Sequence, residues 1–156
     1  MKVWMVVIGL GVALLWWRSG DRLPGELLSE YRQGEVGLQR MAGGRCDQER
    51  CLTIVVAPWC GSCQQLDPMI IALRAEVEAQ GVPVTLVVGM DKLDALKRYA
   101  DHYERPVLLD PDRRFTKRAK IRAVPYFAVT DRKGKVVESL RGGYHDVAAM
   151  RSALGI

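Results

Sequence analysis

Leu52-Thr53-Ile54-Val55-Val56-Ala57-Pro58-Trp59-Cys60-Gly61-Ser62-Cys63 is the stretch on which the fold turns. Its first six residues form an apolar run of buried-strand type, closed by Pro58. Beyond the cysteines, Leu66, Ile70, Leu73 and Val77 recur at i, i+4, i+7 and i+11, which is one face of a helix beginning near Cys60. A strand therefore hands over to a helix across C-x-x-C. Cys60 falls at the helix N-terminus, where unpaired backbone N–H groups and the positive dipole end favour a thiolate. Cys63 lies one turn further on, close enough to close a disulfide and expected to be buried. These roles suit thiol–disulfide exchange, with Cys60 as nucleophile and Cys63 as resolver. The same spacing serves zinc sites, and the strand-to-helix context is what favours redox chemistry.

Working outward, residues 82–88 read as a second buried strand. Asp91 caps a helix carrying Leu93, Leu96, Ala100 and Tyr103. Residues 106–110 read as a short strand and 115–121 as a short helix. Residues 125–130 and 135–141 read as strands joined through Asp131-Arg132-Lys133-Gly134, and 145–154 as a terminal amphipathic helix. The expectation is an α/β domain over 45–156, a mixed central sheet flanked by helices. Upstream, Leu27, Leu28, Tyr31, Leu38 and Met41 keep roughly helical spacing, interrupted by Gly34 and Gly37. Residues 23–44 are therefore expected to be a linker or flanking helix.

The first residues differ in character. Positions 3–17 carry no charge, between Lys2 and Arg18, with Trp4, Trp16 and Trp17 near the two ends. Trp16-Trp17-Arg18-Ser19-Gly20 offers no small-residue cleavage site. Residues 1–22 are expected to be an N-terminal transmembrane or signal-anchor helix, with a cleaved signal and a buried core helix as the other readings.

Composition narrows the function. The chain has 156 residues, four Cys, two His and a net charge of +5. Four cysteines are too few for a disulfide-framework miniprotein. The scarcity of aromatics argues against a nucleic-acid stacking platform, so no nucleic-acid partner is expected. There is no glycine-rich phosphate loop, no H-E-x-x-H and no Ser/His/Asp elbow. His102 and His145 sit at helix ends and read as surface or capping residues. The charge is unevenly placed: positions 104–141 hold 11 basic and five acidic residues, leaving 12 and 13 elsewhere. A solvated basic face is the plain reading of that excess; an acidic client protein or an anionic membrane surface is the sharper one.

Ala57-Pro58-Trp59-Cys60-Gly61-Ser62-Cys63 resembles the redox loop of the thioredoxin superfamily, and further features stand in register with it. Pro68 matches the family's helix-kinking proline. Val124-Pro125 stands where a cis-proline faces the redox cysteines, and Gly134 and Gly142 match the glycines of the closing hairpin. The segment Arg105-Pro106-Val107-Leu108-Leu109-Asp110-Pro111-Asp112 is similar to the membrane-anchored TlpA/ResA-like branch. The resemblance implies a thiol-disulfide oxidoreductase of protein cysteines that needs no cofactor beyond its redox-active disulfide, and no metal. It also implies that Trp59, Gly61, Ser62, Val124 and Pro125 contact the client, Val124 through its backbone. A dedicated reductase for cytochrome c maturation is one alternative, and a binding or scaffold module with structural cysteines is another. Three positions depart from the pattern. Ile54 replaces a buried acid, Leu66 replaces a glutamate frequent in the cytochrome-maturation reductases, and Ser62 replaces a frequent proline. Asp67, the nearest acid along the chain, reads as a solvated helix residue.

Cys46 and Cys51 form the other pair. Their four intervening residues allow a structural disulfide that fixes entry into the sheet. A second redox pair exchanging with Cys60 and Cys63, two inert thiols, and a four-cysteine metal site remain as alternatives. Two cysteine pairs and the apolar N-terminus together imply an oxidising compartment. The expected placement is the bacterial inner membrane, single-pass, with the domain facing the periplasm. Protein clients and a membrane redox partner are the expected partners.

Overall fold

The computed structural model describes residues 21–156. Seven strands and four helices follow one another as β1 (Glu26–Arg32), β2 (Glu35–Ala42), β3 (Cys51–Val56), α1 (Gly61–Ala79), β4 (Val84–Gly89), α2 (Leu93–Ala100), β5 (Val107–Asp110), α3 (Arg114–Arg118), β6 (Tyr126–Thr130), β7 (Val136–Arg141) and α4 (Val147–Leu154). The strands form one mixed sheet in the order β2-β1-β5-β4-β3-β6-β7. β3 pairs in parallel with β4, and β4 with β5; the other pairings are antiparallel.

Side chains of successive strand residues point to opposite faces, and both faces are covered. Leu52, Ile54 and Val56 pack with Leu66, Ile70, Leu73 and Val77 of α1, Leu96 of α2 and Met150 of α4. Val55, Val87 and Ala128 pack on the other face with Phe115, Ile121 and Leu28. This two-sided burial is why β3 and β4 are almost unbroken apolar runs.

The flanking helix expected within 23–44 is not formed; the segment holds the β1–β2 hairpin. Gln33 and Gly34, both at positive φ (45° and 91°), make the two-residue reversal, and β1 then pairs with β5 through Ser29↔Leu109 and Tyr31↔Val107. The apolar spacing was compatible with a helix, but pairing to a strand distant in sequence overrode it. Residues 23–44 are thus part of the sheet rather than a flanking linker.

All the parallel strands end at one edge of the sheet, and the connections there carry the site. Asp110, fully buried at the end of β5, accepts the backbone N–H groups of Phe115 (3.3 Å) and Thr116 (2.9 Å). It thereby holds α3 and the following loop at the same edge as Cys60. The expected membrane segment, but for its last two residues, lies outside the described residues. Among those described, no helix is long and apolar enough to cross a membrane.

Candidate active site

β3 ends at Val56 and passes through Ala57-Pro58-Trp59 to Cys60, the N-cap of α1, with φ −84° and ψ 105°. The Cys60 amide donates to the Ala57 carbonyl (3.1 Å), and Cys60 Sγ accepts the Cys63 N–H at 3.1 Å. The sulfur occupies the place that a serine or aspartate oxygen takes in ordinary caps. No acidic residue lies in the first turn of α1 to oppose negative charge on that sulfur. Ser62 Oγ lies 3.3 Å from Cys60 Sγ.

Cys60 and Cys63 are joined as a disulfide with their Cα atoms 5.2 Å apart. Cys63 is wholly enclosed, whereas Cys60 keeps 5% of its surface open. An attacking group from solution therefore meets Cys60 first.

Val124–Pro125 is a cis peptide bond, and Cys60 Sγ lies 3.5 Å from the Val124 carbonyl oxygen. Pro125 is buried, and its carbonyl accepts the Gly142 N–H at 2.8 Å, which fixes the end of β7 beside the dithiol. Trp59 is 60% exposed, and its indole N–H donates to the Met90 carbonyl at 2.9 Å. Sequence reasoning missed Met90, whose contribution is a backbone atom at φ 64° and leaves no side-chain signal.

The acids around the site are arranged differently from expectation. Asp67 is not a solvated helix residue. Its Oδ1 accepts the Tyr99 hydroxyl at 2.6 Å and also the Tyr103 hydroxyl, one turn of α1 past Cys63. Burial first, then the bond to Asp67, pushes the Tyr99 hydroxyl well above its usual range; burial and the neighbouring Tyr99 do the same for Tyr103. Ile54 and Leu66, where the resemblance would place acids, are enclosed in the apolar core. His102 Nδ1 lies 3.0 Å from the Tyr99 carbonyl, and His145 is exposed on the loop before α4.

Cys46 and Cys51 form a second disulfide, with Cα atoms 5.8 Å apart. Cys51 opens β3 and Cys60 follows its end, so about 20 Å of strand separates the pairs at about 3.3 Å per residue. Exchange between the pairs and a shared four-cysteine metal site are both excluded by that distance. Among the described residues, no group of three or more His, Cys, Asp or Glu is placed to hold a metal. The Cys46 N–H donates to the Arg132 carbonyl (3.3 Å), tying the loop to the β6–β7 hairpin.

The thioredoxin-like domain model matches residues 42–155, most of the chain. The chain belongs to the thioredoxin-like family. The thioredoxin-like fold extends to solved structures. A Chlorobium tepidum structure assigned as the thiol:disulfide interchange protein DsbE is 26% identical with a TM-score of 0.60, covering 79% of this chain and 84% of that one. A thio-disulfide isomerase from Thermus thermophilus is 25% identical with a TM-score of 0.59, covering 86% and 93%. The exposed lipoprotein thioredoxin of Streptococcus pneumoniae shares the fold at 21% identity and a TM-score of 0.63, covering 85% and 98%. No curated protein matches the sequence significantly. The thioredoxin-like fold, the paired cysteines and these neighbours are consistent with a protein thiol-disulfide oxidoreductase.

Proposed function

We propose that this protein exchanges disulfides with cysteines of client proteins, with Cys60 as the attacking sulfur and Cys63 as the resolving one. The observation that carries this reading is the asymmetry of the pair. Cys60 Sγ caps α1 and accepts the Cys63 N–H at 3.1 Å, and the Cys60 residue keeps 5% of its surface open while Cys63 is enclosed. In the reduced protein, the Cys60 thiolate attacks one sulfur of a client disulfide. A new S–S bond to Cys60 forms as the client's own S–S bond breaks, and the departing client thiolate takes a proton. Cys63, losing its proton, then attacks Cys60 Sγ and releases the second client thiol, leaving Cys60–Cys63 oxidised and the client reduced by two electrons. The same steps run backwards oxidise a client dithiol. An external dithiol or disulfide partner restores the starting form, and its potential relative to the Cys60–Cys63 pair sets the direction.

Trp59, Gly61, Ser62, Val124 and Pro125 form the client-contacting rim in this reading. The Val124 backbone lies against Cys60 Sγ, placed to pair with an extended client segment. Cys46–Cys51 serves structure, stapling the entry to β3. The location proposed is extracytoplasmic, with the expected single-pass inner-membrane anchor ending before Asp21, since Asp21 and Arg22 join the edge of β7, and with a membrane protein as electron partner. Its supports are the pairing of all four cysteines and the uncharged run at 3–17.

The test is insulin reduction and re-oxidation of a reduced, scrambled client by wild type, C60S and C63S. Wild type is expected to work in at least one direction, C60S in neither, and C63S should accumulate a mixed disulfide. Inactivity in both assays, with Cys60 unreactive to alkylation at neutral pH, would instead identify a binding module. A periplasm-dependent reporter fused to the C-terminus checks the location, and a cytoplasmic signal rejects it.

A further inference from the structure

A cavity of about 400 Å³ opens on the α3 side of the sheet, against Tyr126, the first residue of β6, which follows Pro125. Arg22, Arg118, Lys120, Arg141 and Tyr126 line it, with Asp21 the one carboxylate among its lining residues. Arg118 is held by Glu26 at 2.6 Å; among the described residues, Arg22, Lys120 and Arg141 have no ion-pair partner. Residues 21–22 also line it, held at the outer edge of β7. The Asp21 carbonyl accepts the Val136 N–H at 2.8 Å, and Arg22 bridges to Lys135 along the outer edge of β7.

Two of its lining residues, Tyr126 and Arg141, lead back towards the redox pair. Tyr126 pairs in register with Arg141, directly after Pro125, and Gly142 donates to the Pro125 carbonyl. Tyr126 is thus two residues, at most about 7 Å of chain, from Val124, whose carbonyl faces Cys60 Sγ. The neighbouring loop adds to the field: positions 111–125 carry six basic residues and one acidic, and all six basic side chains are exposed. Lys120 stands at φ 54° just past α3, a left-handed position that glycine would occupy with less strain, so a cation is present at the rim despite its backbone.

We propose that this cavity is a docking subsite for an Asp or Glu side chain of the client, lying within about four residues of the client cysteine. The inference rests on the exchange reaction proposed above and names its preferred clients: polypeptides acidic beside the reacting cysteine. A guanidinium fork and an ammonium lining one cavity match a carboxylate. The concave shape favours a side chain over a flat anionic bilayer, which cannot enter between α3 and the β7 edge.

The test uses the full-length, detergent-solubilised protein and two cystine peptides identical except for Glu or Gln near the cysteine. Wild type is expected to react about tenfold faster with the Glu peptide at low salt, an advantage that shrinks as salt rises. In R141Q and in K120Q the Glu-to-Gln ratio should fall towards one, and R141E should favour a Lys peptide. Equal rates for Glu and Gln peptides in wild type overturn the docking inference while leaving the exchange reaction standing. Failure to react with either peptide overturns the exchange reaction itself. Competition by soluble short-chain phosphatidylglycerol, and not by phosphatidylcholine, that removes the Glu preference would assign the cavity to a lipid headgroup and overturn the peptide assignment.

Discussion

The Tyr99 hydroxyl donates to Asp67 Oδ1 at 2.6 Å, so one carboxylate on α1 fastens the helix that carries the redox cysteines to α2. Tyr103 binds the same oxygen and packs edge-on against Tyr99, with ring centroids 5.9 Å apart. Removing the carboxylate leaves two largely buried hydroxyls without their acceptor. D67A is therefore expected to lose about 2–4 kcal/mol of stability, and D67N less, since its amide oxygen still accepts. Urea unfolding measures both; a D67A loss below about 0.5 kcal/mol would show that the cluster does not secure α1.

The same tyrosines give a pH dependence. Both hydroxyls are raised above their usual value, first by burial. A raised pKa means that the folded state holds the proton more tightly than the unfolded chain does. The resulting stability is fully present below the unfolded value of about 10 and is lost as pH rises from there through the folded value. Alkaline unfolding should begin above about pH 10, and Y103F should flatten it by removing one linked proton. An identical alkaline profile in Y103F would remove Tyr103 from the account.

Cys60 Sγ, capping α1 with no first-turn acid beside it, is expected to ionise below about 8.5, the value for a free cysteine. The pH dependence of iodoacetamide labelling of the reduced protein reads this directly. S62D places a carboxylate where Ser62 Oγ now lies 3.3 Å from the sulfur, and should raise the midpoint by about one unit. A wild-type midpoint at or above 8.5 would mean that the helix terminus does not activate Cys60.

Cys46–Cys51 closes a short loop at the end of β3 remote from Cys60, with a sequence separation of 5. The double variant C46S/C51S should lose about 2 kcal/mol, the chain-entropy value for so small a loop. Exchange activity under folding conditions should be unchanged. Loss of activity in a fully folded double variant would show that this pair takes part in electron transfer.

Gly134 sits at φ 76° in the β6–β7 turn, where an added Cβ would collide with the Gly44 carbonyl. G134A is expected to destabilise by more than about 1 kcal/mol, combining a left-handed backbone with a clash that only main-chain movement relieves. Thermal unfolding of G134A against wild type checks this, and an unchanged midpoint contradicts it.

Wherever a local pattern has one physical meaning, the amino-acid sequence was sufficient by itself. Apolar runs at 52–57 and 82–88 became β3 and β4, the i, i+4, i+7 stripe became α1, and Asp131 to Gly134 became the hairpin turn, because period and turn chemistry are short-range. Cys60-Gly61-Ser62-Cys63 was legible for the same reason: helix onset and disulfide reach are set within one turn. Tertiary structure decided what depends on partners far along the chain. Leu27, Leu28 and Tyr31 fit a helix on spacing alone and became a strand once β5 offered an edge. Asp67 looked solvated until Tyr99 and Tyr103 enclosed it. The basic excess at 104–141 had no shape until folding gathered Arg118, Lys120 and Arg141 with Arg22 around one cavity. Hydrogen-bond partners, burial and concavity arise from groups that the sequence holds apart, and only folding brings them within a few ångströms of one another.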